Sequence, residues 1–465
     1  VGETRAARHV LVSCQSGSGR GKAGSRRDSF HRLLARVSAD QVDAPRIGSA
    51  LFYRRMDVFD TEVVLPEYGG RSFADLPQMV RYALTGQGHS GLSSELIGPV
   101  DRRWKKVALF FIDAFGWRFC QPRLRSDPFL RRFVEGGVAE KMTAQFPSTT
   151  AAHVTCIHTG MPPVESGIYE WQYYEPLIDQ IVVPLLFSPA GSKMRNALED
   201  VEPEEILPTQ TVYRDLEEMG IRSCAFQPAL HLVSPYARLT YDGADVVPYR
   251  TLAEGLTSLK KRLSEETDPS YFFFYFDGID QVGHVHGPDS AHINAEVDAF
   301  LATAEQILGE GLDGDTLLLM VADHGMAEID PKTTIYLNIE PEFDGIERFL
   351  RRSEFGDLLV PAGSCRDLFL YINDGLIEEA QAFLEMRLRG RASVLRCTDL
   401  VERGLFGPGP PSEAFDAHIG DLVVLPHAGQ SVWWYERGKF EQRHYGSHGG
   451  LTAAEMEIPF LARPY

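Results

Sequence analysis

Three times along this chain an unbroken apolar run stops on a carboxylate. Val107–Ile112 leads into Asp113, Tyr271–Phe276 into Asp277 and Asp280, and Thr316–Ala322 into Asp323 and His324. A half-buried strand would alternate polar with apolar residues, so runs this continuous predict strands covered on both faces. An open parallel sheet meets that requirement, and such sheets bind ligands outside the carboxyl ends of their strands. The expected fold class is α/β, a large mostly parallel sheet with helices on both faces and its chemistry along one edge.

Between the second and third runs, His292–Glu310 sets Ile293, Val297, Phe300, Leu301, Ala304, Ile307 and Leu308 on one helical face, as a crossover helix would. Gly311–Asp315 supplies the turn into the next strand. After Met326 the pattern weakens. Residues 331–414, with a strand-like Leu368–Ile372 and a helix-like Leu376–Leu388, read as an inserted subdomain ending in Gly404–Pro411. Asp421–Leu425 and Val432–Tyr435 then read as strands paired with each other. The expected division is a basic, poorly ordered extension over 1–60, a catalytic core over 61–330 and 415–465, and the insertion between them.

Charge narrows the class of partner. The net charge is −19, yet residues 1–36 hold eight Arg or Lys against Glu3 and Asp28, so the remainder carries about −25. A body this acidic repels nucleic acid, and an anionic substrate would need a local source of positive charge such as bound divalent cations. The basic Gly17–Lys22 stretch is no phosphate loop, because Ser16 stands where that motif has its first glycine and Ala23 replaces its Ser or Thr. Six cysteines without a short-spaced pair predict buried thiols rather than disulfides or a zinc finger. No apolar run reaches membrane-spanning length and no secretory leader is readable, which favours a cytoplasmic location.

Asp280 and His284 stand four residues apart, so one helical turn aims both at a single cation, although such a pair more often lies on a surface. Asp323-His324-Gly325 is more specific: it follows a fully apolar strand, where a carboxylate has no packing role. Asp113 shares that logic, and His448 sits among Gly446, Gly449 and Gly450. The hydroxyls lie in Phe146-Pro-Ser-Thr-Thr150, ahead of a short helix over Thr150–Thr159 that Gly160 ends. Hydroxyls there either cap the helix or present a nucleophile where free N–H groups favour a phosphate.

In this order the motifs resemble the alkaline phosphatase superfamily, and more closely its nucleotide pyrophosphatase/phosphodiesterase branch. The resemblance covers roughly residues 104–330 and 415–465. It rests on Asp113 after the first strand, Phe146-Pro-Ser-Thr-Thr150, Asp280-Gln-Val-Gly-His284 with Gly287-Pro288, Asp323-His-Gly-Met326 and Gly446-Ser-His-Gly449. It implies Thr150 as nucleophile, one zinc on Asp280, His284 and His448, and a second on Asp113, Asp323, His324 and the Thr150 oxygen. Where many members bind phosphate with an Asn three residues past the nucleophile, this chain has His153, which becomes the expected phosphate contact.

The implied activity is two-metal hydrolysis of phosphate diesters or nucleotide pyrophosphates through a phosphothreonine. The expected partner is a small anionic phosphate ester, a nucleotide among the candidates, with neither stable nucleic-acid binding nor membrane attachment. The alternatives are a phosphomonoesterase or phosphonate monoester hydrolase of the same superfamily, a phosphomutase, and an inactive metal-stabilised binding protein. A sulfatase is disfavoured, since Cys120-Gln-Pro-Arg-Leu124 lacks the final Arg of that signature. Asp277, His286 and Asp289 are read as neighbours of ligands rather than ligands, and Tyr169, Trp171, Tyr173 and Tyr174 as core or a base-stacking cluster.

Overall fold

Every residue of the strands Lys106–Ile112, Ser270–Phe276 and Thr316–Val321 is buried, as their unbroken apolar text requires. In the computed structural model, which describes Phe59 and residues 61–465 apart from Glu199, Asp200 and Asp313, these three lie side by side and parallel at the centre of a seven-stranded sheet. Across that sheet the order is Val138–Thr143, Glu457–Pro464, Thr316–Val321, Lys106–Ile112, Ser270–Phe276, Arg222–Pro228 and Ala244–Tyr249. Glu457–Pro464 runs antiparallel to both neighbours and the remaining pairings are parallel. The expected α/β class therefore holds, with helices on both faces. The N-terminal extension expected over 1–60 lies, but for Phe59, outside the described residues.

Register decides where the carboxylates go. Ile112 pairs with Phe276 and Phe111 with Val321, so the three strands end level and Asp113, Asp277 and Asp323 emerge on the same edge. The crossover helix Ala291–Leu308 buries Ile293, Val297, Phe300, Leu301, Ala304 and Leu308, and Ile307 packs half-buried beside them.

A second sheet of four antiparallel strands orders as Ala362–Ser364, Asp367–Leu370, Leu422–Pro426 and Ala392–Arg396. Around it an apolar cluster gathers residues from Ile335 to Trp434. One expectation fails here: Leu422–Pro426 pairs with the two strands beside it in this sheet, while Val432–Trp433 pairs in parallel with Ile335–Tyr336. Both segments carry strand text, but adjacency in sequence does not specify the partner. Cys120, Cys156, Cys224, Cys365 and Cys397 are free and buried, while Cys14 lies outside the described residues. Among the described residues no helix is long and apolar enough to cross a membrane.

Candidate active site

The site grows from the level strand ends. Asp113 leaves its strand with Oδ2 accepting from the Tyr275 hydroxyl of the neighbouring strand, and its Oδ1 has no partner. Asp323 Oδ1 takes two backbone N–H bonds, from Ala114 at 3.0 Å and His324 at 2.9 Å, which leaves Oδ2 unpartnered and 3.3 Å from His324 Nε2. Asp280 and His284 project one turn apart from the helix Gly278–His286, with Oδ1 and Nε2 separated by 3.3 Å. Asp280 Oδ1 is also buried without a hydrogen bond.

His448 arrives by a route the sequence conceals. Ala327–Glu328, just past the Asp323 strand end, pairs antiparallel with Gly446–Ser447, and that ladder lays the His448 ring on His324 with centroids 3.6 Å apart. Its Nε2 lies 3.3 Å from His284 Nε2 and 3.7 Å from Asp280 Oδ1. All three imidazoles meet backbone carbonyls through Nδ1: His284 with Gly446, His324 with Gly325 and His448 with Ser148. The Nδ1–H bond leaves each Nε2 lone pair free to ligate.

Thr150 opens the helix Thr150–Thr159, which Gly160 ends in the left-handed conformation at φ 80°. The Thr149 side chain makes no cap bond, and Thr150 Oγ1 stands 3.2 Å from His324 Nε2. Thus Thr150, Asp113, Asp280, His284, Asp323, His324 and His448 lie in one cluster. Two groups within it have ligating atoms within 4.8 Å of one another: Asp280, His284 and His448, and Asp113, Asp280 and His324. Asp280 is thereby within reach of both positions.

The electrostatics of the cluster favour bound positive charge. Burial, followed by repulsion from Asp323 and Asp280, pushes Asp113 well above the usual carboxylate range. Burial raises Asp280 to about 8 and Asp323 to about 7. It also lowers His284, and lowers His324 and His448 well below the ordinary imidazole value, so these rings are neutral. Three orphaned carboxylate oxygens facing three neutral imidazole nitrogens fit divalent cations, which would satisfy every one of them.

His153 stands differently from expectation. Its ring is fully buried, Nε2 accepts from Gln145 N at 2.8 Å, and Nδ1 bonds Thr149 O at 2.7 Å. Both nitrogens are spent on backbone, and burial lowers the ring to about 3. Asp277 bonds His231 and Gln281, Asp289 pairs with Arg118, and His286 stacks on His292, so these three turn away from the cluster.

Above the cluster opens a cavity of about 520 Å³. Thr150, Asp280, His284 and His448 line its floor, and Trp171, Trp433 and Phe440 give it aromatic walls. Of the aromatic cluster at 169–174 only Trp171, 39% exposed, reaches the cavity; Tyr169 and Tyr173 are core and Tyr174 is half-buried beside them. His444, four residues before His448, lines the same cavity with its ring against His284 at 4.6 Å. That spacing of two histidines was the sequence signal for it.

The loop carrying His448 is clamped by an ion pair that sequence reasoning missed. Arg366 and Glu455 are both fully buried and joined through two bonds of 2.9 and 3.0 Å. Glu455 also accepts from Gly450 N and the Thr452 hydroxyl. Arg366→Met would strand a buried carboxylate, so we expect a stability loss of about 3–5 kcal/mol, read by urea unfolding of the purified protein. An unchanged midpoint would show that the clamp carries no weight.

The model of the type I phosphodiesterase / nucleotide pyrophosphatase family matches residues 107–451, most of the chain and every member of the cluster. The chain belongs to that family. Among its relatives are an uncharacterised pyrophosphatase/phosphodiesterase of Schizosaccharomyces pombe, 26% identical over 42% of this chain and 39% of the relative, and the venom phosphodiesterase of Crotalus durissus collilineatus, 26% identical over 54% and 30%. The chain thus spans less than two-fifths of the length of these curated relatives. Family likeness extends to the fold: murine ectonucleotide pyrophosphatase/phosphodiesterase 5 in complex with AMP superposes at a TM-score of 0.56 with 18% identity over 77% of this chain and 87% of that one. Phosphonoacetate hydrolase of Sinorhizobium meliloti gives 0.55 with 19% identity over 78% and 91%.

Proposed function

We propose that this chain hydrolyses phosphate diesters or nucleotide pyrophosphates, with Thr150 attacking phosphorus and water then cleaving the phosphothreonine. The observation that carries this reading is the Thr150 hydroxyl at a helix N-terminus, in one cluster with three unpartnered carboxylate oxygens and three converging imidazole Nε2 atoms. In this reading Asp280, His284 and His448 would hold one divalent cation, and Asp113, Asp323, His324 and Thr150 the other. A donor set of nitrogen and oxygen suits zinc. Two such ions supply positive charge against phosphate oxygens and lower the pKa of a threonine hydroxyl and of water.

The remaining work falls to the protein. Tyr275 and the N–H groups of Ala114 and His324 fix Asp113 and Asp323, so the donors need no rearrangement during turnover. Backbone N–H groups in the first turn of the 150–159 helix take a non-bridging phosphate oxygen, the role that His153 has no free nitrogen to fill. His153 instead ties Gln145 to the N-cap carbonyl and so aims Thr150. The aromatic walls suit a planar base on the leaving side.

Diesters are preferred over monoesters because the cationic residue among the described cavity-lining groups is Lys439, half-exposed and already paired with Glu436 at 2.6 Å. A monoester dianion would call for a free cation there. The test is purified protein with added zinc against bis(p-nitrophenyl) phosphate and p-nitrophenyl phosphate. We expect kcat/KM to favour the diester by about tenfold or more, equivalent to about 1.4 kcal/mol. Preference for the monoester would instead support the phosphomonoesterase or phosphonate hydrolase reading, and turnover of neither the inactive binding protein.

A further inference from the structure

Two more carboxyl groups that the proposed reaction does not use lie at the cavity, Glu170 among its lining residues and Asp367 beside it. Glu170 and Asp367 are both fully buried, and they meet side chain to side chain. Glu170 Oε2 accepts from Trp171 N, and Asp367 Oδ1 accepts from Ser364 N at 3.1 Å and Ser364 Oγ at 2.5 Å. Their other oxygens, Glu170 Oε1 and Asp367 Oδ2, have no donor at all. The neighbouring guanidinium of Arg366 is committed to Glu455 and to the carbonyls of His427 and Gln430.

The pair is wedged between the two halves of the active site. On one side Glu170 lines the same cavity as Thr149, the N-cap of the helix that begins with Thr150. On the other, Ser364 Oγ reaches His448 O at 2.9 Å, and Asp367 Oδ1 presses so close to Gly449 that a Cβ there would lie 2.4 Å away. Two ionised carboxylates cannot share such a site, whereas a single proton turns one orphan oxygen into a donor and the other into its acceptor. From this geometry we propose that Glu170 and Asp367 hold one proton between them, forming an acid pair that sets the spacing between the Thr150 helix and the His448 loop. They are positioning residues: neither reaches the reacting atoms.

The proton has a chemical mimic. In Glu170→Gln the amide carbonyl keeps the Trp171 bond while its NH2 donates to Asp367 Oδ2; in Asp367→Asn the carbonyl keeps the Ser364 bonds while the NH2 donates to Glu170 Oε1. Each single substitution preserves one donor and one acceptor. The double variant sets two NH2 groups against each other.

The test measures turnover of bis(p-nitrophenyl) phosphate and melting temperature for the metal-loaded protein, both singles, the double and Glu170→Ala. Each single should keep kcat within about threefold of the parent, while the double and Glu170→Ala lose about thirtyfold or more in kcat with KM little changed. A second readout needs no catalysis, so it separates failure of this proposal from failure of the phosphodiesterase reading on which only the kinetic arm rests. Burial raises Glu170 to about 7, so its stabilising proton is fully held below pH about 4.5 and lost as pH rises through about 7. Glu170→Gln cannot lose it, and should gain melting temperature relative to the parent between pH 5 and pH 8. The other groups facing the pair, Tyr169, Cys365, Arg366 and Glu455, are common to all variants and cancel. Singles as damaging as the double would overturn the shared proton. So would a hard cation counted beyond the two ligand-set ions and lost in Glu170→Gln, which would mean the pair holds a metal instead.

Discussion

Thr150→Ala is expected to abolish turnover while leaving the metal content of the purified protein near normal. On the proposed ligand assignment Thr150 is one of four groups around a cation, and the other three, Asp113, Asp323 and His324, are braced by bonds that do not involve it. The substitution removes the attacking oxygen and leaves those ligands in place. A lost nucleophile costs far more than a lost contact, so kcat should fall by about a thousandfold or more. Thr150→Ser, which keeps a hydroxyl at the same helix start, should retain measurable activity. Steady-state kinetics alongside elemental analysis decide the matter: an alanine variant that keeps a tenth or more of parental turnover removes Thr150 from the mechanism.

The second large effect comes from taking away the cations. Without them Asp280 is pushed up to about 8 and Asp323 to about 7, chiefly by burial, and burial also pushes Asp113 well above the usual carboxylate range. These groups carry folded-state values above their unfolded ones. The protons that stabilise the metal-free fold are therefore fully held below pH about 4 and released as pH rises through about 7 to 8. Chelated protein should lose melting temperature steeply across that window. Zinc at about a hundred times its Kd should return about 2.7 kcal/mol per site and flatten the profile. Asp280→Asn, which alters the one carboxylate within reach of both positions, should lose metal and turnover together. Thermal scans with and without chelator at pH 5, 7 and 8.5 check the sign. A chelated protein whose stability rises with pH over that range would mean the three acids are paired with something other than a cation.

Much of the site could be read from text because it depends on local rules. Continuous apolar runs specified three doubly covered strands. Their termini specified where carboxylates would surface, and Gly160 marked the end of the Thr150–Thr159 helix. Asp280 and His284 needed only the pitch of a helix to point the same way.

What could not be read depends on which distant segments pack together. His448 reaches His324 through a two-residue ladder with 327–328, too short to leave a pattern. His153 looked like a phosphate ligand because spacing reveals which turn of a helix a residue occupies, but not that Gln145 N and Thr149 O would claim both its nitrogens. The paired-strand expectation for 421–435 failed for a related reason: strand text states that a segment needs partners, not which ones. Trp171 reaches the cavity while Tyr169 and Tyr173 enter the core, a division that spacing along the chain does not reveal.

The sequence alone determined the sheet and the edge on which its carboxylates surface, because burial and helical or strand period act over a few residues. Only the tertiary structure decided the meeting of Glu170 with Asp367 and of Arg366 with Glu455. Buried charges far apart in the chain acquire their energetic meaning only from the groups that exclude water around them.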